Sequence, residues 1–188
     1  MAMDPIEMCQ QTTDGAAALM NGLKPEDLAR PTPCEGWDVR ALINHMIGVN
    51  ARFAAAVSGE GTPPDASADL VGSDAAASYR AAAQKTMAAF RAPGALDKTV
   101  RLAAGEMPGQ AACGVFFVDQ LQHAWDLAKA LGRPYTLAPA LPTIALEMSR
   151  QRIGADRRGP GKPFGDEVPC SDDAPIQDRL AGFLGRQP

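Results

Sequence analysis

Six stretches of the chain repeat apolar residues at the spacing of one helix face. Between Asp4 and Met20, the residues Ile6, Cys9, Thr13, Ala16, Ala17 and Met20 return at three- and four-residue intervals. Asp4, Pro5 and Glu7 form a start signal: a capping oxygen, a proline in the first turn where its missing N–H is not needed, and a carboxylate near the positive end of the helix dipole. Gly22 is the expected stop. The strongest pattern runs from Asp38 to Val57, with Val39, Leu42, Met46, Val49, Phe53 and Val57 in one stripe and Gly59 and Gly61 behind it. A third stretch, Asp74–Phe90, presents Tyr79, Ala83, Met87 and Phe90. The fourth, Pro108–Leu131, is expected to pack through Val115, Val118, Leu121, Trp125 and Leu127 or Ala128, and to stop at Gly132 and Pro134. Gly114 inside it marks either a close helix contact or a later start. Two shorter helices are predicted over Pro139–Arg152 and Ala174–Leu184.

The connections hold the prolines and glycines. Lys24–Trp37 contains three prolines, and Leu28 is placed to anchor a short helical turn there. Glu60–Asp74 is a loop that either crosses the end of the bundle or acts as a lid. Arg91–Glu106 alternates only loosely, through Leu96, Thr99, Val100 and Leu102, so a β-hairpin is a minor alternative to plain loop. Residues 154–175 are expected to form an irregular surface crossing within one domain over residues 1–188.

Composition narrows the class. Aromatic residues make up only 5% against 46% apolar, which favours close-packed alanine-rich helices over sheets and predicts an all-α fold. The net charge is −4, and no basic stripe follows any helix, so nucleic acid is not an expected partner. No uncharged apolar run is long enough for a membrane span, and MAMDPIEMCQ lacks the form of a secretion signal, so the expected location is cytoplasmic. Cys9, Cys34, Cys113 and Cys170 are widely spaced and are expected to be free thiols.

The chemistry-bearing residues gather in two helices. Asp119 and His123 are four residues apart and share one helix face, about 6 Å apart along the axis. The only other histidine, His45, lies in the second helix beside its apolar stripe. Antiparallel packing can bring these three together as an N/O ligand set for a divalent metal, zinc first, with nickel, iron or manganese as alternatives. Three ligands leave a coordination position open for chemistry. The plainer reading is a local Asp119–His123 pair with His45 as a core-boundary histidine. Asp126 is either a group that orients a ligand or a solvated charge. Cys34 and Cys113 are weaker candidates as nucleophiles. No phosphate-binding loop, CxxC pair or GxSxG elbow is present.

Two segments, PTPCEGWDVRALINHMIGVN (Pro31–Asn50) and DQLQHAWDLAKALGRP (Asp119–Pro134), resemble the signatures of an actinobacterial metal-binding family. That family belongs to the DinB-like superfamily and is similar to the N-terminal domain of mycothiol-dependent maleylpyruvate isomerase. The closing segment, Phe164–Pro188, resembles the family's C-terminal end. The resemblance implies an up-down-down-up four-helix bundle with extra C-terminal helical segments. It implies a metal held by His45, Asp119 and His123, with aspartate where the isomerase relatives have glutamate. The implied function is thiol-dependent, mycothiol-using transferase or isomerase chemistry on a small electrophile. The alternatives are a non-catalytic metal- or small-ligand-binding protein and a metal-dependent hydrolase with Asp126 or Glu147 as base. Further pocket candidates are Asp126 and Arg52 for catalysis, and Trp37 and Asn44 for cofactor binding. A homodimer is compatible with the alanine-rich faces.

Overall fold

The computed structural model describes residues 3–188 apart from 66, 104 and 136. Six α-helices carry the fold: α1 (Pro5–Leu19), α2 (Val39–Ser58), α3 (Ala75–Arg91), α4 (Gly109–Leu131), α5 (Ala140–Arg152) and α6 (Ile176–Phe183). Asp4, Asp38 and Asp74 each cap a helix by accepting backbone N–H bonds with their carboxylates, so three starts follow from one residue type. The helix α4 stops at Gly132, whose φ of 63° is left-handed and lets two carbonyls of the last turn be bonded. The turn expected around Leu28 is a short 3₁₀ segment, Pro25–Ala29.

The hairpin is real. Strands β1 (Thr99–Leu102) and β2 (Gly105–Pro108) pair antiparallel, with Val100 opposite Met107. Val100 is buried against the bundle, and that one anchor replaces the clean alternation a longer strand would show. Pro108 ends β2 and also caps α4, so helix four begins one residue later than its sequence pattern suggested.

Side-chain contacts fix the helix directions. Arg80 and Arg91 of α3 reach Asn21 and Gln10, so α3 runs against α1. Thr86 bonds the Asn50 carbonyl and Phe90 meets Phe53, so α3 runs with α2. Phe53 faces Phe116 while Asn50 faces Gln120, so α4 runs against α2. Cys9 meets Cys113 and Arg133 meets the end of α1, so α4 runs with α1. This is the up-down-down-up bundle.

The packing face of α4 differs from the expected one in one place. Val115 is exposed, while Cys113, Phe116, Phe117, Ala124 and Leu127 point inward. A buried helix that packs on α1, α2 and α5 has apolar residues all round, so its periodicity does not single out a core face. Gly114 is a close contact: a Cβ there would run into the Met148 methyl group of α5.

The core has two apolar clusters. One holds Phe53, Phe90, Phe116, Phe117 and Leu141; the other holds Leu42, Ile43, Met46, Tyr79 and Leu127. Between them the bundle buries Thr12, Thr13, Asn50, Thr86 and Gln120. Each of these finds a partner: the threonines bond carbonyls one turn back, Asn50 bonds the Met46 carbonyl, and Gln120 Oε1 accepts from Tyr79 and Asn50.

No helix among the described residues is long and apolar enough to cross a membrane. Cys9, Cys34, Cys113 and Cys170 are free. After α5 the chain has only the short 3₁₀ turn Ala155–Arg157 before α6.

Candidate metal centre

His45 on α2 and Asp119 and His123 on α4 converge beside the polar layer. Asp119 Oδ2 lies 3.7 Å from His45 Nε2 and 3.8 Å from His123 Nε2, and one ligand atom from each residue falls within 4.8 Å of the others. Ligands about 2.1 Å from a common tetrahedral ion stand roughly 3.4 Å apart, so each Asp119–histidine pair needs to close by only a few tenths of an ångström to share one. His45 Nε2 is buried and has no hydrogen-bond partner, the mark of a donor atom aimed at something other than protein. No fourth His, Cys, Asp or Glu among the described residues joins this group. The set fits a divalent ion with an open position.

The supports of this cluster reach outward on both sides. Gln120 donates to Asp119 Oδ1 at 3.0 Å, and its own oxygen is held by Tyr79 at 2.7 Å and Asn50 at 3.2 Å. The buried polar layer therefore aims Asp119. On the other side, Asp126 lies fully buried with Oδ2 3.0 Å from His123 Nδ1. A carboxylate can only accept, so Nδ1 carries the proton and the Nε2 edge is turned toward His45 and Asp119. Asp126 is not a solvated charge: it orients His123.

Two further groups complete that side. Arg186 donates to both oxygens of Asp126, at 3.1 and 3.2 Å, and Cys34 Sγ lies 3.2 Å from Oδ2. Cys34 Sγ and Asp126 also form, with His123 Nδ1, a second group of closely spaced donors, on the opposite edge of the imidazole from the first. Sequence reasoning named Cys34 only as a weak nucleophile and missed Arg186 altogether. The signal was present in LGRQP just past the last helix, where a lone arginine follows a glycine, but nothing local says that it turns back 60 residues to α4.

The electrostatics follow from burial and the close charges. Burial opposes charge on His123, but Asp119, Asp126 and Cys34 around it outweigh that and push its pKa up to about 10 in the metal-free protein. Burial also works to raise the carboxyl groups of Asp119 and Asp126. For Asp119, His123 and then His45 outweigh it; for Asp126, His123 and Arg186 do. Both carboxyl groups are held below the usual carboxylate range.

The remaining candidates are distributed differently. The Trp37 ring lies 4.8 Å from the His45 ring and 6.0 Å from that of His123, so it walls the cluster. Asn44 is taken up by the loop before α3: its amide donates to the Ala68 carbonyl and accepts from Leu70 N–H. With Arg40 on Asp69, that pair straps the loop across α2. Arg52 lies seven residues past His45 on the same helix face, its guanidinium laid over Gly48. Glu147 is exposed on α5, which packs against the phenylalanine cluster rather than the histidines. Trp125 is a packing residue whose indole N–H donates to Asp178 and ties α6 to α4. Cys113 sits 3.4 Å from Cys9 in the apolar half, away from the histidines.

The chain resembles known proteins in sequence and in fold. The chain is 40% identical over 184 residues to an uncharacterized protein found in two strains of Mycobacterium tuberculosis, covering 98% of each chain. Among solved structures, it resembles the mycothiol-dependent maleylpyruvate isomerase (TM-score 0.56) and a histidine mutant of it (TM-score 0.57). Each match has 16% identity and covers 77% of this chain, so the likeness concerns the fold. The chain spans 65% of the length of that isomerase. The model of the mycothiol maleylpyruvate isomerase N-terminal domain matches residues 9–128, which include His45, Asp119, His123 and Asp126. On that match, and on the helix order that accompanies it, the chain belongs to the mycothiol maleylpyruvate isomerase N-terminal domain family.

Proposed function

We propose that this protein binds one divalent metal through His45, Asp119 and His123 and uses it in mycothiol-dependent transferase or isomerase chemistry on a small electrophile. The observation that carries the reading is the three-donor convergence with no fourth ligand among the described residues, including a buried His45 Nε2 without a hydrogen-bond partner among them. Zinc suits two imidazoles and a carboxylate best; nickel, iron and manganese accept the same donors. A metal there supplies a Lewis acid that keeps a small thiol ionised near neutral pH.

The chain's own residues do the rest. Asp126 holds the His123 proton on Nδ1 and leaves Nε2 free to coordinate. Gln120 fixes the rotamer of Asp119. Trp37 covers one side of the two imidazoles. Arg52, on the His45 face and without an ion-pair partner among the described contacts, is the group placed to meet an anionic part of a ligand. The hydrolase alternative is weaker, because Asp126 is already engaged by His123 and Arg186 and is not free to act as a base. The family's mycothiol isomerase favours the thiol reading over a purely structural metal.

Elemental analysis of untagged protein tests this, on wild type beside His45→Ala and His123→Ala. The expected result is about one metal per chain, lost in both folded variants. Metal-loaded wild type should then convert an α,β-unsaturated acid only when mycothiol is present, using up the thiol if it is a transferase and returning it if it is an isomerase, and metal-stripped protein should do neither. Folded wild type that contains no metal and takes up none on titration would sink the reading.

A further inference from the structure

The C-terminal tail sends one side chain back into the centre. Arg186 Nε and Nη2 form a fork on the two oxygens of Asp126, and Nη2 also lies 3.4 Å from Cys34 Sγ. Asp126 has no exposed surface, and the Arg186 side chain is only 19% exposed. The tail is built to deliver this contact. Arg186 N–H bonds the Ala181 carbonyl, closing the end of α6, and Gly185 takes a φ of 88° that a side chain would strain. A Cβ at Gly185 would also fall 2.8 Å from Gly165 Cα, so the tail and the preceding crossing touch backbone to backbone. Trp125, Lys129 and Asp178 in turn fix α6 on α4.

The donors on this side, Cys34, His123 and Asp126, lie close enough to suggest a second cation. The guanidinium already occupies that role: it is a fixed cation between Asp126 and Cys34, supplied by the chain itself.

We propose that Arg186 is a positioning residue for the metal centre, holding the Asp126 carboxylate against His123 Nδ1 so that His123 Nε2 stays aimed at His45 and Asp119. The inference deepens the metal-centre reading and rests on it for its consequence, though not for its geometry. Without the fork, a fully buried carboxylate loses its guanidinium donor on each oxygen, and the donors left to it are Gln122 Nε2 at 3.3 Å on Oδ1 and the Cys34 thiol and His123 Nδ1 on Oδ2. The same guanidinium also ties the Cys34–Trp37 turn to α4, so one residue couples the cover of the site to the orientation of a ligand.

The test compares wild type, Arg186→Lys and Arg186→Gln, each first shown to be folded by circular dichroism. Two measurements are made. The first is NMR detection of the His123 Nδ1 proton in metal-free protein, which the chain's two histidines make simple to assign. The second is zinc affinity by competition with a chromophoric chelator. Wild type should give a slowly exchanging, downfield Nδ1 proton. Arg186→Gln should lose that resonance and bind zinc about 10-fold more weakly. Arg186→Lys, which keeps the charge but not the fork, should fall between the two. If Arg186→Gln does not fold, the lysine variant decides on the same two readouts. An unchanged Nδ1 resonance in a folded variant overturns the proposal, as does an unchanged zinc affinity. If wild type binds no zinc, the metal-centre reading fails, and the Nδ1 resonance alone still decides whether Arg186 holds the imidazole.

Discussion

The phenylalanine-lined half of the bundle and the half that carries the histidines are built on different kinds of contact. In the first, Phe53, Phe90 and Phe116 meet at centroid distances of 5.3–6.5 Å, and Phe117 and Leu141 fill the space around them. Such contacts have little directionality; what matters is volume filled. In the second, a chain of directed bonds runs from Tyr79 through Gln120 to Asp119, and from Arg186 through Asp126 to His123. Its contribution to stability is modest, because each bond replaces one to water. Its contribution to geometry is large, because it sets where three donor atoms point. The two halves thus divide stability from site geometry, with the buried polar layer as the boundary.

The sharpest way to break that division is Phe116→Ala. Phe116 is fully buried and touches both other rings of its cluster. Its truncation should cost about 3–5 kcal/mol of unfolding free energy, read by urea denaturation. In the fraction that stays folded, zinc affinity should not change. A parallel loss of affinity would mean that the phenylalanine cluster, too, sets the donor geometry.

The division also explains what could be read from the sequence. The capping aspartates, the period of α2 and the closing glycine of α4 are local signals, and they place four helices within a residue or two. The pairing of Asp119 with His123 is likewise local to one helix turn. His45 could be joined to them only by assuming how α2 packs on α4, or through the family resemblance. The packing side of α4 was unreadable, since Val115 and Phe116 are neighbours of similar hydropathy and tertiary contacts alone decide which one is buried. Arg186 lay beyond any local rule. Its partner is 60 residues away, and its placement depends on Gly185, Gly165 and the docking of α6 together.

A pH scan of the metal-free protein sharpens the comparison next, since His123 belongs wholly to the histidine half. Its pKa in the folded state, about 10, lies above the ordinary 6.5. Its ion pairs therefore stabilise fully below pH 6.5, and that contribution is lost as pH rises toward 10. Asp119 and Asp126 are shifted down, so theirs is present above the ordinary carboxylate value of 3.8 and lost as pH falls below it. Metal-free protein should be most stable between these limits and should lose about 3 kcal/mol between pH 6.5 and 9. His123→Gln should lack that slope. Saturating zinc should reverse it, because coordination needs His123 Nε2 without its proton and so strengthens as pH rises. A slope that is the same with and without zinc would mean that His123 is not a ligand.

The smallest stability effect should come from the boundary itself. Gln120→Leu is close in volume but leaves the Tyr79 hydroxyl without its acceptor and Asp119 Oδ1 without its donor. The expected cost is about 1–2 kcal/mol, well under that of Phe116→Ala. Its effect on zinc binding should nevertheless be the greater of the two, a weakening of several-fold, because Asp119 is free to leave the rotamer that points Oδ2 at both histidines. The two variants therefore order oppositely on the two axes: Phe116→Ala moves stability and spares the centre, whereas Gln120→Leu spares most of the stability and moves the centre. Measured together, by denaturation and by zinc competition, they form a crossed test that general loosening of the fold cannot imitate. Loosening would weaken zinc binding in proportion to lost stability and place Phe116→Ala first on both axes.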